Sequence, residues 1–169
     1  MSAATLDRDQ IFVILDHVKD PEVPVLSVVE LGIVRDVYVA DGAVTVRITP
    51  TYSGCPAMRV IEEEIRAALV EHGVSAVKLE TVYAPAWTTD WMSDESKGKL
   101  EAYGIAAPGT APHEPLVSLT RAPARAESPA CPYCHSRNTE VRSEFGSTAC
   151  KAIGYCRSCS QPFEIFKAL

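Results

Sequence analysis

Five of the six cysteines, Cys131, Cys134, Cys150, Cys156 and Cys159, fall within 29 residues. Cys131-Pro-Tyr-Cys134 and Cys156-Arg-Ser-Cys159 are C-x-x-C pairs. Two residues between cysteines let a tight turn aim both sulfurs at one ion, and two such turns complete a tetrahedral site with metal–sulfur bonds near ~2.3 Å. A redox C-x-x-C opens a helix after a strand, and neither pair does so. Zinc suits four thiolates, and iron suits the same geometry. Charge agrees with a divalent ion: residues 131–169 hold five basic and three acidic side chains, and four thiolates around such an ion bring the segment to about neutral.

Cys150 is surplus to a closed four-ligand site. It is either a small buried hydrophobe or a solvent-facing thiol beside Lys151 that meets a partner or a labile cluster. Cys55 stands apart from the rest and directly precedes Pro56, a residue suited to the first position of a helix. A thiol at such a start meets free amides and the positive end of the helix dipole, which favour thiolate. Cys55 is therefore either a functional thiol or a structural cap. Asp20-Pro21-Glu22 is either a helix stop with solvated charges or a carboxylate pair held near Cys55 and able to orient a metal. His17, His72, His113 and His135 show no mutual metal spacing.

The elements that position these groups follow from periodicity. Leu6 to Val18 reads as a helix, with Ile11, Ile14, Leu15 and Val18 on one side. Pro21 to Gly32 reads as irregular or a short turn. Ile33–Val39 and Ala43–Thr49 alternate as strands around Asp41-Gly42, a hairpin signal. Pro56 to His72 is a helix closed by Gly73, Val74–Tyr83 a third strand, and Ser93–Tyr103 a short helix stopped by Gly104. The hairpin is antiparallel, and the helical link to the third strand implies a parallel pairing. Trp87 and Trp91 are expected to pack the last helix onto the sheet. The fold class is thus α/β (α+β): a small mixed three-stranded sheet packed with helices over residues 1–108.

Residues 109–130 form a Pro/Ala-rich linker, within which Val117 and Leu119 could make a brief edge strand. Residues 131–169 form a second module, with strands at 139–145 and 149–155 and a third around Phe163, Ile165 and Phe166. Cysteine turns flanking a hairpin make a zinc ribbon, and 39 residues cannot bury enough apolar surface to fold without such a staple. Gly154 before Tyr155 suggests a bulge.

No run of about 18 apolar residues is present, so no membrane span is expected. Met1 to Asp9 lacks the pattern of a secretory signal, which points to the cytoplasm and to reduced thiols. The net charge of −6, and the absence of a basic stripe between the cysteine turns, argue against nucleic acid or an anionic membrane as partner. The charge is uneven: residues 1–104 hold nine basic and seventeen acidic side chains, residues 105–169 seven and five.

Several blocks resemble the SufT/PaaD-type iron–sulfur assembly domain: Asp20-Pro-Glu22, Val29-Glu-Leu-Gly-Ile-Val34, Thr49-Pro-Thr-Tyr-Ser-Gly-Cys55-Pro56, Trp91, and Gly104-Ile-Ala106 before Pro108. The tail resembles the ribbon specific to PaaD in its two cysteine pairs, in Glu144-Phe-Gly-Ser-Thr-Ala-Cys150-Lys-Ala152, and in Gln161-Pro-Phe163 with Phe166-Lys167. PaaD-like proteins accompany the oxygenase that epoxidises phenylacetyl-CoA. The resemblance implies an accessory protein, not an enzyme, that matures or maintains the iron–sulfur cluster of the reductase subunit. It implies structural Zn²⁺ on Cys131, Cys134, Cys156 and Cys159, and handling of a transient iron–sulfur cluster by Cys55 with Asp20, Glu22, Thr51 and Cys150. Implied partners are the reductase and oxygenase subunits, with a second copy of the chain as a further candidate. The chain has no Gly-rich phosphate cradle and no carboxylate–histidine helix pairs of a di-iron oxygenase. The competing classes are a non-catalytic scaffold subunit of the epoxidase, a thiol enzyme using Cys55, and a nucleic-acid-binding ribbon.

Overall fold

A computed structural model of the 169-residue chain describes residues 6–40, 42–52, 54–109 and 128–169. Most of the linker, with His113 and the expected edge strand at Val117 and Leu119, lies outside these residues. The chain forms two compact units. One comprises the chain up to Trp87 with Trp91–Ser96; the other comprises Thr88–Asp90 and Lys97–Leu169.

In the first unit, helix α1 (Arg8–Leu15) starts from a capping box. Asp7 Oδ1 accepts the Gln10 N–H at 2.8 Å, and Gln10 Oε1 accepts the Asp7 N–H at 2.9 Å. The helix stops three residues short of the expected Val18, because the His17 and Val18 amides turn back to the carbonyls of Ile14 and Leu15. Strands β1 (Val34–Ala40) and β2 (Ala43–Ile48) form the expected antiparallel hairpin. Helix α2 (Ala57–Glu71) then crosses to β3 (Ala76–Thr81), which lies parallel to β2 and completes the sheet order β1-β2-β3.

Ile61, Ile65 and Leu69 recur at four-residue steps on α2 and are buried, as are Ile11 and Leu15 of α1 and Val44, Val46 and Ile48 of β2. Each such side chain contributes about 1.5–3 kcal/mol on leaving water. The segment from Pro21 to Gly32 is irregular, as its prolines require, yet it buries Val23, Leu26, Val28 and Leu31.

Within this unit Trp87 and Trp91 cover the Leu31–Gly32 turn. The Trp87 indole N–H donates to the Leu31 carbonyl at 2.8 Å. Gly32 has φ +72°, and a Cβ there would lie 3.5 Å from Trp91 Cβ. The Arg35 guanidinium stacks 3.5 Å above the Trp91 ring.

In the second unit, helix α3 (Asp94–Tyr103), whose first residues belong to the first unit, ends at Gly104 with φ +93°. Strands β4 (Ile105–Ala106), β5 (Thr139–Ser143), β6 (Lys151–Cys156) and β7 (Pro162–Phe166) form a sheet in the order β4-β7-β6-β5. The β5–β6 and β6–β7 pairings are the expected antiparallel ones. β4 was not expected: Ile105 pairs with Glu164 and Ala106 with Ile165 in parallel, so residues assigned by sequence to the first domain belong to the ribbon sheet. Thr89 joins the same unit, its N–H donating to the Leu169 carbonyl at 3.1 Å.

Ala106, Ala152, Phe163 and Ile165 form the core with Cys131 and Cys156. The bulge suggested at Gly154 lies opposite it, on the partner strand, and Gly154 itself serves close approach. A Cβ on it would fall 2.7 Å from the Phe163 ring, and the register shift lies on β5, between Val141 and Ser143. Among the described residues, no helix is long and apolar enough to cross a membrane.

Candidate functional site

The two cysteine turns are one device used twice. The Cys131 N–H donates to the Ser136 carbonyl and the Cys156 N–H to the Gln161 carbonyl, both at 2.9 Å. In each, the residue after the second cysteine takes the left-handed conformation: His135 has φ 58° and Ser160 φ 59°. The turns are tied together by Ser136 Oγ and Ser158 Oγ at 2.9 Å and by the Arg157 N–H donating to the Asn138 carbonyl at 2.9 Å. All four sulfurs lie within 4.8 Å of one another.

Two of the pairs, Cys131–Cys159 at 3.7 Å and Cys134–Cys156 at 3.6 Å, match the ~3.8 Å edge of a tetrahedron with ~2.3 Å metal–sulfur bonds. A disulfide would need about 2.05 Å. Backbone N–H groups of Cys159 and Ser158 donate to the Cys156 sulfur and lower its pKa to about 7, whereas burial and the neighbouring sulfurs push Cys159 up to about 12. Four crowded thiols cannot all ionise unaided, and a divalent cation at their centre removes that conflict. The donor set and its spacing fit a tetrahedral metal. Cys131 and Cys156 are fully buried, Cys159 is half-buried and Cys134 is exposed.

Cys150 is not the solvent-facing thiol. It is 4% exposed, and its sulfur lies 3.0 Å from Thr148 Oγ1. The block around it builds the β5–β6 connection. Lys151, itself buried, reaches Glu164 Oε2 at 2.9 Å, and Glu164 Oε1 accepts from Ser147 Oγ at 2.6 Å. Sequence reasoning missed this ion pair. Its signal was a lysine in an otherwise apolar strand position.

In the first unit, the Cys55 N–H donates to the Tyr52 carbonyl at 3.3 Å, and Gly54 has φ +82°. Pro56, expected at the first helical position, is instead the cap residue of α2, in helical conformation, so Cys55 is not the cap but stands one position before it. Burial raises the pKa of the half-buried thiol. The Ala57 N–H and the Tyr52 hydroxyl, both hydrogen-bonded to it, pull it down, and the charges of Glu22 and Asp20 push it up. The net direction is upward, opposite to the shift expected from a helix start alone, because desolvation outweighs the amides.

Asp20 and Glu22 are therefore near Cys55, as one reading of the sequence had it. Asp20 does not stop the helix, which ends at Leu15, but holds the turn that follows it: it is 6% exposed, and its Oδ1 accepts the N–H groups of Glu22 and Val23 at 2.8 Å each. Thr51 is half-buried in the same loop. Among the described residues, only the four-cysteine group brings three or more potential ligands within reach of one ion. His17 and His72 are exposed and bond the carbonyls of Val13 and Ala68 through Nδ1.

Comparison with known proteins agrees with both halves of this description. Residues 8–82 match the family model described as iron–sulfur cluster assembly protein, and residues 117–167 match the PaaD zinc beta ribbon domain. The chain is 41% identical over 161 residues to a component of the putative 1,2-phenylacetyl-CoA epoxidase of Escherichia coli, covering 95% of this chain and 92% of that protein. It is 41% identical over 95 residues to an Fe-S protein maturation auxiliary factor of Porphyromonas gingivalis, covering 55% of this chain and 90% of that one. Among solved structures, a hypothetical protein of Thermotoga maritima superposes with a TM-score of 0.51 at 32% identity, over 59% of this chain and 98% of the other. A domain of unknown function from Bacillus anthracis gives 0.50 at 28%, over 53% and 87%. A chain that carries both domains in this order, and matches that epoxidase component over nearly its whole length, belongs to the PaaD family.

Proposed function

We propose that this chain is an accessory factor that matures or maintains the iron–sulfur cluster of the reductase partner of a phenylacetyl-CoA epoxidase, acting in the cytoplasm. The observation that carries the reading is the division of labour among six cysteines. Four converge on the ribbon's metal site, Cys150 is buried, and Cys55 alone stands in the assembly domain, half-buried beside Asp20 and Glu22. Zinc is the metal assigned to Cys131, Cys134, Cys156 and Cys159, where it holds the fold and does no chemistry.

The cluster is cargo. Clusters are held by several thiolates, and one thiol supplies one ligand. Cys55 therefore contributes a single position, with the others coming from the client or from a second copy of the chain. Handover is a ligand exchange in which a client thiolate replaces the Cys55 thiolate at iron; no electron moves and Cys55 leaves as a thiol after taking a proton. Asp20 and Glu22 favour a cation at that position, and Thr51 belongs to the same loop.

Epoxidation is not assigned to this chain. Among the described residues, the groups that act most on Cys55 are the Ala57 amide, Tyr52, Glu22 and Asp20. Deleting the protein, or substituting Cys55→Ser, is expected to leave the oxygenase subunits associated while the reductase comes out low in iron and sulfide. Chemical reconstitution of that cluster then restores epoxidation without this protein. A reductase with its full cluster in the deletion strain would reject maturation and leave the scaffold reading.

A further inference from the structure

Resting on the reading of the ribbon as a zinc site, we infer that Cys134 is an oxidation site: peroxide joins it to Cys156 in a disulfide that expels the metal. The four ligands are unequally protected. Cys131 and Cys156 are fully buried and Cys159 is half-buried, whereas Cys134 is exposed, beside a Tyr133 that is exposed too. A small oxidant therefore meets the Cys134 sulfur first. The Cys156 sulfur lies 3.6 Å from it. The turns that carry the two are fastened by Ser136 Oγ and Ser158 Oγ at 2.9 Å and by the Arg157 N–H on the Asn138 carbonyl at 2.9 Å. Closing the gap to the ~2.05 Å of a disulfide takes a movement of about 1.5 Å. Cys150 is spared: it is 4% exposed, and its sulfur lies 3.0 Å from Thr148 Oγ1, outside the four-sulfur group.

The step balances with peroxide as the oxidant. Coordination keeps the Cys134 sulfur a thiolate, the form that attacks oxidants. It attacks one peroxide oxygen and the O–O bond breaks, leaving a sulfenic acid on Cys134 and hydroxide. The Cys156 thiolate then attacks the Cys134 sulfur; an S–S bond forms, the S–O bond breaks and a second hydroxide leaves. Two sulfurs have lost two electrons to one peroxide. Cys131 and Cys159, 3.7 Å apart, remain as thiolates, two ligands where a closed site needs four. The ion leaves unchanged in charge. Because Cys156 packs in the core with Phe163 and Ile165, the loss reaches the ribbon's fold. Contact with peroxide is thereby converted into release of the metal, and a thiol reductant with fresh zinc reverses it.

The test uses the full-length chain loaded with zinc, its metal content measured before any oxidant is added. Hydrogen peroxide is added in steps, zinc release is read with a chromogenic chelator, and each cysteine is scored by peptide mass spectrometry. Zinc is expected to leave in step with a Cys134–Cys156 disulfide, one ion for each bridge. In a parallel sample, dimedone, which traps sulfenic acids, labels Cys134 ahead of the other three ligands. Dithiothreitol with added zinc returns the metal to its starting content. Zinc that stays bound under excess peroxide overturns the inference. So does release with a bridge inside either cysteine turn or between chains, or with dimedone on Cys131 or Cys156 first. A chain that holds iron in place of zinc rejects the zinc reading and the inference with it, a result that the opening metal measurement separates from the others.

Discussion

Replacing Cys134 and Cys156 by serine one at a time separates two contributions of the metal centre. Metal binding at four-cysteine sites of this kind is worth about 10–16 kcal/mol near neutral pH, as much as the whole net stability of about 5–15 kcal/mol that holds an ordinary domain together. Losing the ion therefore unfolds the ribbon outright. The two ligands nevertheless differ in where they sit. Cys134 is exposed, and Cys134→Ser leaves three thiolates and room for water as a fourth ligand. Cys156 is 0% exposed and lies in the core with Phe163 and Ile165. Cys156→Ser removes a ligand and also buries a hydroxyl, at a further cost of about 1–3 kcal/mol.

Hydrogen exchange on the full chain reads the outcome. Peptides spanning β5 to β7 report the ribbon, and those of α2 serve as an internal reference. With excess zinc, Cys134→Ser is expected to keep partial protection in β6 and β7 while Cys156→Ser shows none, and α2 stays protected in both. Strong chelation of the parent chain should abolish protection in the same strands, with Ile105 and Thr89 losing theirs as well. A ribbon that stays protected after chelation, or a Cys134→Ser variant that is the worse of the two, would refute the reasoning.

Because the four sulfurs bind as thiolates, metal uptake releases protons, so a chelator should strip the ribbon at lower concentration as pH falls; a pH-independent stripping midpoint, read by zinc release to a chromophore, would contradict this. Gly154→Ala places a Cβ 2.7 Å from the Phe163 ring, and the ribbon is expected to lose about 1–3 kcal/mol in thermal or denaturant melts with no loss of metal stoichiometry. Glu164→Gln leaves the Lys151 ammonium, 5% exposed, without its anion, for a loss of about 3 kcal/mol at neutral pH that Lys151→Met in the same chain largely restores.

Much of the architecture was legible because it is periodic or local. The helix over residues 57–71 announces itself through Ile61, Ile65 and Leu69, and the β1–β2 hairpin through alternation around Asp41-Gly42. The metal ligands were legible for a different reason: four cysteines in two pairs admit few other chemistries. What escaped was non-local or electrostatic. β4 is two residues long, too short for any period to show, and its existence depends on a partner strand in the tail. Cys150 gave no spacing signal that could tell burial from exposure. The proximity of a helix start to Cys55 was readable; the burial that reverses its effect is a property of the tertiary fold, which no local pattern reports.

The parallel pairing of Ile105 with Glu164 fixes an order of events during synthesis. A chain emerging amino end first has every strand of its first sheet available once Thr81 is out, and those pairings close over short stretches of sequence. The second sheet has no such freedom. Its first strand must wait for its last, and Thr89 must wait for Leu169. Cys131 and Cys134 are in place early, but the site cannot close until Cys156 and Cys159 follow, by which time the assembly domain has had the whole linker's synthesis in which to settle. Contacts of such long sequence separation form slowly. The ribbon's metal is thus captured after the assembly domain has formed, and a chain broken off before Pro162 would carry Cys55 with its second unit unmade.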